Sequence, residues 1–115
     1  MSKRYCLALD LKADSELIRQ YEWYHSAEGI WPEILESLRV SGIQKMEIYR
    51  TGNRLTMLIE VSDDFSFEKK SAMDKANERV QAWETLMSQF QQRLPWAQLG
   101  EKWVLMDCIF EFKSA

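Results

Sequence analysis

Residues 4–11, RYCLALDL, alternate along the chain: Tyr5, Leu7, Leu9 and Leu11 point one way, and Cys6, Ala8 and Asp10 the other. A period of two is that of a strand with different surroundings on its two faces. The period then changes. In ADSELIRQYEWYH, residues 13–25, the acids come early and Leu17, Ile18, Tyr21 and His25 fall on one helical face. Asp14 or Ser15 is placed to cap that helix. SAEG interrupts at 26–29, and Pro32 then suits the first turn of a second helix with the stripe Ile34, Leu35 and Leu38. Gly42 is placed to close it with a left-handed residue.

Further on, KMEIYRTGNRLTMLIEV (45–61) reads as two alternating strands around the turn Thr51-Gly52-Asn53. Residues 63–77 are polar and charged, which predicts a loop leading into a short helix. NERVQAWETLMSQFQQRL (77–94) returns to a helical period, with Val80, Trp83, Leu86, Met87 and Phe90 on one side and Pro95 as the stop. EKWVLMDCIFEF (101–112) predicts a last strand. The order is β-α-β-β-α-β, a ferredoxin-like α+β fold with one antiparallel sheet and helices on one face. The last strand is apolar on both faces, and the 54–61 strand less completely so. Helices cover only one of those faces. A second copy, related by a two-fold axis, is the expected cover for the other, giving a homodimer built as a dimeric α+β barrel.

Composition narrows the picture without changing it. The chain has 115 residues, 46% of them hydrophobic and 29% charged, with only four glycines, so one ordered domain over 1–115 is expected. A net charge of −3 argues against a nucleic-acid partner, which would need a basic stripe. No apolar run approaches the ~20 residues of a membrane span, and acids appear too early for a secretory signal. Cys6 and Cys108 lie in separate apolar stretches and are expected as buried thiols in a reducing cytoplasm. One histidine and two isolated cysteines offer no close-spaced metal-ligand pair, so no metal site is expected.

The chemistry that remains is modest. His25, the only histidine, has an unperturbed pKa near ~6.5 and so exchanges a proton near neutrality. Tyr21 lies one turn earlier on the same face, which lets phenol and imidazole share a space and move protons between oxygens. The plainer alternative is a histidine that merely ends a helix beside a core tyrosine. Trp83 is either core or a face on which a sugar ring stacks. Glu84 beside it is either solvated or an acceptor for sugar hydroxyls. The strand acids Asp10, Glu47, Glu60 and Asp107 either line a polar cavity or sit at ordinary edges. Gly-rich phosphate loops and a Ser-His-Asp arrangement are absent, and no cofactor is expected.

These pieces in order resemble the L-rhamnose mutarotase family, in particular its L-fucose mutarotase-like branch. The resemblance rests on YCLALDLK (5–12), on Tyr21 and His25 at Tyr-x-x-x-His spacing, and on IWPEILESLR (30–39). It continues through GIQKMEIYRTGNRLTMLIE (42–60), RVQAWETLMSQFQ (79–91) and LPWAQLGEKWVLMDCIF (94–110). It implies a cytoplasmic dimer that interconverts the α and β anomers of a free 6-deoxy-hexose. His25 matches the family's proton donor and Tyr21 a substrate-binding tyrosine. The rhamnose enzymes carry Trp-Trp where this chain has Trp83-Glu84, and a sugar-contacting tyrosine where it has Met46. The segment between His25 and Trp31 is also longer here. These departures favour L-fucose or a related sugar. Two other readings use the same residues: a cofactor-independent monooxygenase or haem-degrading protein, and a non-catalytic sugar-binding module.

Overall fold

Asp14 opens the first helix as its position suggests, its carboxylate accepting from the Glu16 and Leu17 amides at 3.0 Å each. The computed structural model describes residues 3–114. Nine elements follow in order: β1 (Lys3–Leu11), α1 (Ser15–Tyr24), α2 (Pro32–Val40), β2 (Ile43–Thr51), β3 (Arg54–Val61), α3 (Phe67–Lys75), α4 (Glu78–Ser88), β4 (Gln91–Gln92) and β5 (Val104–Leu105). The strands form one antiparallel sheet in the order β2-β3-β1-β4, with β5 also on β1. This is the ferredoxin-like arrangement. Gly42 takes φ +96° at the exit from α2, the left-handed conformation expected of it.

Register sorts the side chains. Leu7, Leu9 and Leu11 of β1 lie opposite Met57, Leu55 and Asn53-side turn backbone, so one sheet face is apolar under the helices. Leu11, Leu55, Tyr21, Ile34, Val80, Trp83, Met87 and Phe90 form one core cluster there. Leu7, Ile43, Ile59 and Val61 form a second. The opposite face carries Cys6, Tyr49, Thr56 and Leu58, and among the described residues it is left open, with Tyr49 and Leu58 exposed. Asp10, on that face, is held by a bidentate Arg54 at 2.7 and 3.1 Å, so an edge ion pair accounts for it.

Two boundaries differ from the sequence reading. The helix expected to run to Pro95 ends at Ser88. Phe90 turns into the core at 3% exposure, and Gln91–Gln92 then pair with Leu11 and Asp10 on the free edge of β1. The long last strand is reduced to Val104–Leu105, extended by one bond from the Met106 amide to the Cys6 carbonyl at 2.8 Å. Beyond it the chain has left β1, and a strand exists only where a neighbour takes its hydrogen bonds. Ile109 is 95% and Phe110 79% exposed there. Cys108 is exposed as well and only Cys6 is half-buried, so the expectation of two buried thiols is corrected.

Candidate active site

His25 sits where α1 ends, as its C-cap residue. Its Nδ1 lies 2.8 Å from the Tyr21 carbonyl oxygen. A carbonyl only accepts, so Nδ1 carries the hydrogen and Nε2 is left with a lone pair. The following turn is tied back to the helix. Ser26 Oγ donates to the Trp23 carbonyl at 2.6 Å and accepts from the Gly29 amide at 3.2 Å. Gly29 has no room for a side chain, since a Cβ there would come within 2.2 Å of the Trp23 carbonyl oxygen. The imidazole is thus aimed by a short, closely packed turn rather than by a loose loop.

The later helix supplies the opposite wall. Asn77 caps α4 by accepting from the Arg79 and Val80 amides at 3.0 and 3.2 Å. That start places Trp83 inward, edge-on to three rings: His25 at 5.5 Å, Trp31 at 5.2 Å and Tyr24 at 6.2 Å between centroids. Tyr21 and His25 are closer still, at 4.4 Å. Arg79 lies over the Trp31 ring at 4.2 Å and reaches Glu33, which ties the start of α2 to α4.

These walls and the sheet enclose a cleft of about 1010 Å³, at the upper end of the ~300–1,000 Å³ usual for ligand sites. Tyr21, His25, Trp83 and Glu84 all line it, so the four residues singled out in the sequence are brought together. Met46 lines it too, on the sheet side. Sequence reasoning missed Gln91, Lys102 and Trp103 in the same lining. Lys102 Nζ stands 3.5 Å from the Glu84 carbonyl, bringing a cation beside α4. Nothing in the alternation of the 101–112 segment marked Lys102 for a site.

Burial tunes both titrating groups in the same direction, towards neutrality. The Tyr21 phenol is held above its usual range because it is buried, with a hydrogen bond from the Gln91 side chain partly opposing that rise. His25 is open to the cleft on one side and packed by Tyr21 and Trp83 on the other. That loss of water pushes the imidazole below its ordinary value, and the Tyr21 carbonyl offsets part of the shift. At neutral pH the pair is therefore a neutral phenol and a neutral imidazole. Among the described residues no three His, Cys, Asp or Glu side chains are grouped to hold a metal ion. No helix among them is long and apolar enough to cross a membrane.

Fold and site together define a small α+β protein with an aromatic-walled cleft lined by one histidine and one tyrosine. A family model described as L-rhamnose mutarotase matches residues 4–112, and the chain belongs to that family. It is 44% identical over 113 residues to an L-fucose mutarotase of Xanthomonas campestris pv. campestris, covering 98% of this chain and 90% of that protein. A UPF0734 protein of Dictyostelium discoideum is 41% identical, over 95% of this chain and 89% of its own length. The crystal structure of an L-rhamnose mutarotase from Formosa agariphila superposes with a TM-score of 0.69 at 20% identity, covering 96% of this chain and 99% of that one. Tetracenomycin F2 cyclase from Streptomyces glaucescens superposes with a TM-score of 0.57 at 16% identity, over 98% and 99% of the two chains. At those identities the two structures establish the shared fold.

Proposed function

We propose that this protein interconverts the α and β anomers of a free 6-deoxy-hexose, with L-fucose preferred over L-rhamnose. As a member of a mutarotase family it is an isomerase; the sugar and the residue roles are assigned here. The observation that carries the reading is the meeting of His25, Tyr21 and Trp83 in one cleft. The L-fucose preference draws on the 44% identical relative and on Glu84 and Met46. Saturation-transfer NMR between the anomers of each sugar tests it. Added protein is expected to speed exchange of L-fucose more than of L-rhamnose, and exchange unchanged for both sugars overturns the function.

In this mechanism the neutral His25 Nε2 first takes the proton from the anomeric hydroxyl. The electron pair left on that oxygen forms the C1 carbonyl, and the bond from C1 to the ring oxygen breaks. The ring oxygen receives the proton that the imidazolium now carries. Both oxygens are bonded to the same carbon, so one nitrogen reaches each in turn, and no second base is required. Rotation about C1–C2 turns the other carbonyl face forward, and the reverse transfers close the ring. Tyr21 donates a hydrogen bond to a sugar oxygen, Trp83 carries the C–H face, and Glu84 accepts from a hydroxyl. This order differs from that of an imidazole protonated at the start with a separate base. The lowered pKa favours it, and the hydrogen on Nδ1 leaves Nε2 as the nitrogen that exchanges the proton.

A pH profile separates the two orders. With a neutral imidazole required, kcat/KM is expected to stay level from pH 8 down through the ~6.5 of an ordinary histidine, and to fall only below it. A rate that falls as pH rises between 6 and 7 would instead mark a protonated imidazole as the starting form.

The protein is further proposed to be a homodimer working in the cytoplasm, where its two free thiols stay reduced. A second copy fits the uncovered sheet face, on which Leu58 is 41%, Tyr49 54% and Met106 47% exposed. The apolar segment that continues from β5 has a strand's length and alternation and no partner strand among the described residues. Light scattering is expected to give twice the 13.7 kDa chain mass. Ending the chain after Leu105 should return it to one copy, and a full-length chain that is monomeric at micromolar concentration would sink the dimer.

A further inference from the structure

Lys102 reaches the cleft from a loop that is tied down before and after it. Residues 98–101 form a tight turn, in which the Glu101 amide donates to the Gln98 carbonyl at 2.9 Å and the Gln98 amide to the Glu101 carboxylate at 3.0 Å. Gly100, third in that turn, takes φ +81°, a conformation that favours glycine. The Arg93 guanidinium, just beyond β4, braces the turn by donating to the Gln98 and Glu101 carbonyls. The chain then returns as Glu101, Lys102 and Trp103, all three on the lining of the cleft. Trp103 packs against both core clusters and fixes the far end of the loop.

Held in this way, Lys102 brings its ammonium to the backbone of α4. Nζ stands 3.5 Å from the Glu84 carbonyl oxygen, at the long limit of a hydrogen bond, so most of its three N–H groups remain to be used. The Glu84 side chain lines the same cleft. Among the described residues, neither the Lys102 ammonium nor the Glu84 carboxylate belongs to an ion pair, so the two do not neutralise each other. Both side chains are half-buried. A cation and an anion that have given up part of their water, with little from the protein in its place, gain from a ligand that bonds to both.

We infer that Lys102 is a specificity-determining residue that works with Glu84 as a donor–acceptor pair for two neighbouring substrate hydroxyls away from C1. The ammonium donates to one hydroxyl oxygen, and the carboxylate accepts the hydrogen of the next. This rests on the sugar-isomerase reading above for the identity of the ligand. The hydroxyl on C1 changes sides in every turnover and becomes a carbonyl on the way, so a fixed pair of charges suits the hydroxyls that stay still, at C2 to C4. Such a grip is the same for both anomers and for the transition state. It therefore sets KM and leaves kcat nearly untouched.

Lys102→Met keeps the length of the stem and removes the cation. Its KM for L-fucose is expected to rise about tenfold, with kcat little changed. The 2-, 3- and 4-deoxy analogues of L-fucose all keep the free C1 that anomer exchange needs. The penalty of Lys102→Met should vanish on the analogue that lacks the hydroxyl Lys102 reads, and persist on the other two. A lysine with a merely structural role would weaken every sugar alike, so an equal penalty across the panel, or none, overturns the inference. Urea unfolding checks that the variant is folded. If it is not, Glu84→Met takes its place, with a penalty that should likewise vanish on a single analogue.

Tryptophan fluorescence, read as Kd for the same sugars, keeps this apart from the isomerase function. If wild type accelerates exchange and the variants match it on every sugar, the pair falls while the function stands. If wild type binds L-fucose without accelerating exchange, the function falls and the Kd values across the panel decide the pair. A wild type that neither binds nor acts on these sugars overturns both.

Discussion

Replacing His25 by asparagine is expected to slow anomer exchange of L-fucose by about 10²–10⁴-fold while leaving the fold intact. Asparagine is chosen for what it keeps. Its side-chain amide can still donate to the Tyr21 carbonyl, as Nδ1 does at 2.8 Å, so the end of α1 and the turn through Gly29 lose little. What it lacks is a nitrogen that takes up a proton near neutrality. One group performs both transfers in the proposed mechanism, so its loss removes acid and base together. Tyr21 is held protonated by burial and has no basic form at neutral pH. Saturation transfer measures the rate, and the unfolding midpoint checks the fold. Wild-type exchange in a folded His25→Asn protein would remove the assigned acid–base group.

How far the sequence carries to such a prediction differs from element to element. The alternation of β1 and the helical stripe of α1 are both local patterns, and each is matched by a one-sided burial that the structure provides. That is why Tyr21 and His25 could be placed on one face from spacing alone. Trp83 was legible as an inward residue for the same reason, since it lies on the stripe of α4, whereas Glu84 was read only as its neighbour. The period failed at Phe90, which continues the helical stripe in sequence yet is buried after the helix has ended. Residues 91–92 then join the sheet because the edge of β1 is unpaired beside them, a fact about a strand some eighty residues away in the chain. Gln91 could not have been found as a site residue before that. The 106–112 segment fails in the opposite sense: its alternation is real, but alternation states that two surfaces need cover and says nothing about which chain provides it. Lys102 was hidden because a single lysine in a polar-apolar alternation carries no signal of what it faces.

Trp83→Ala is expected to cost about 3–5 kcal/mol of stability, the range for removing a large aromatic from a core. Trp83 is 8% exposed and belongs to the same cluster as Tyr21, Val80, Met87 and Phe90. It is also the ring that Tyr24, His25 and Trp31 all meet edge-on, and aromatic pairs of that kind add about 0.5–1.5 kcal/mol each beyond area. The helix pair α2 and α4 closes on it from both sides, and the backbone cannot collapse into the space without undoing the Arg79 contact with Trp31. Against a total of about 5–15 kcal/mol for a domain of this kind, the variant stands near the limit of folding. Urea unfolding should show a lower midpoint at an unchanged slope, which separates lost stability from a changed unfolded state. A loss below about 1 kcal/mol would mean that Trp83 contributes little to the core. Activity of the alanine variant alone could not then assign the ring to the substrate, because a loosened core also misplaces His25. Trp83→Phe resolves this: it keeps an aromatic in the cluster with less surface for a sugar, so KM should rise while the unfolding midpoint falls far less. If KM is unmoved in a stable Trp83→Phe protein, the ring is a core residue of the mutarotase and the stacking platform must be sought elsewhere in the cleft.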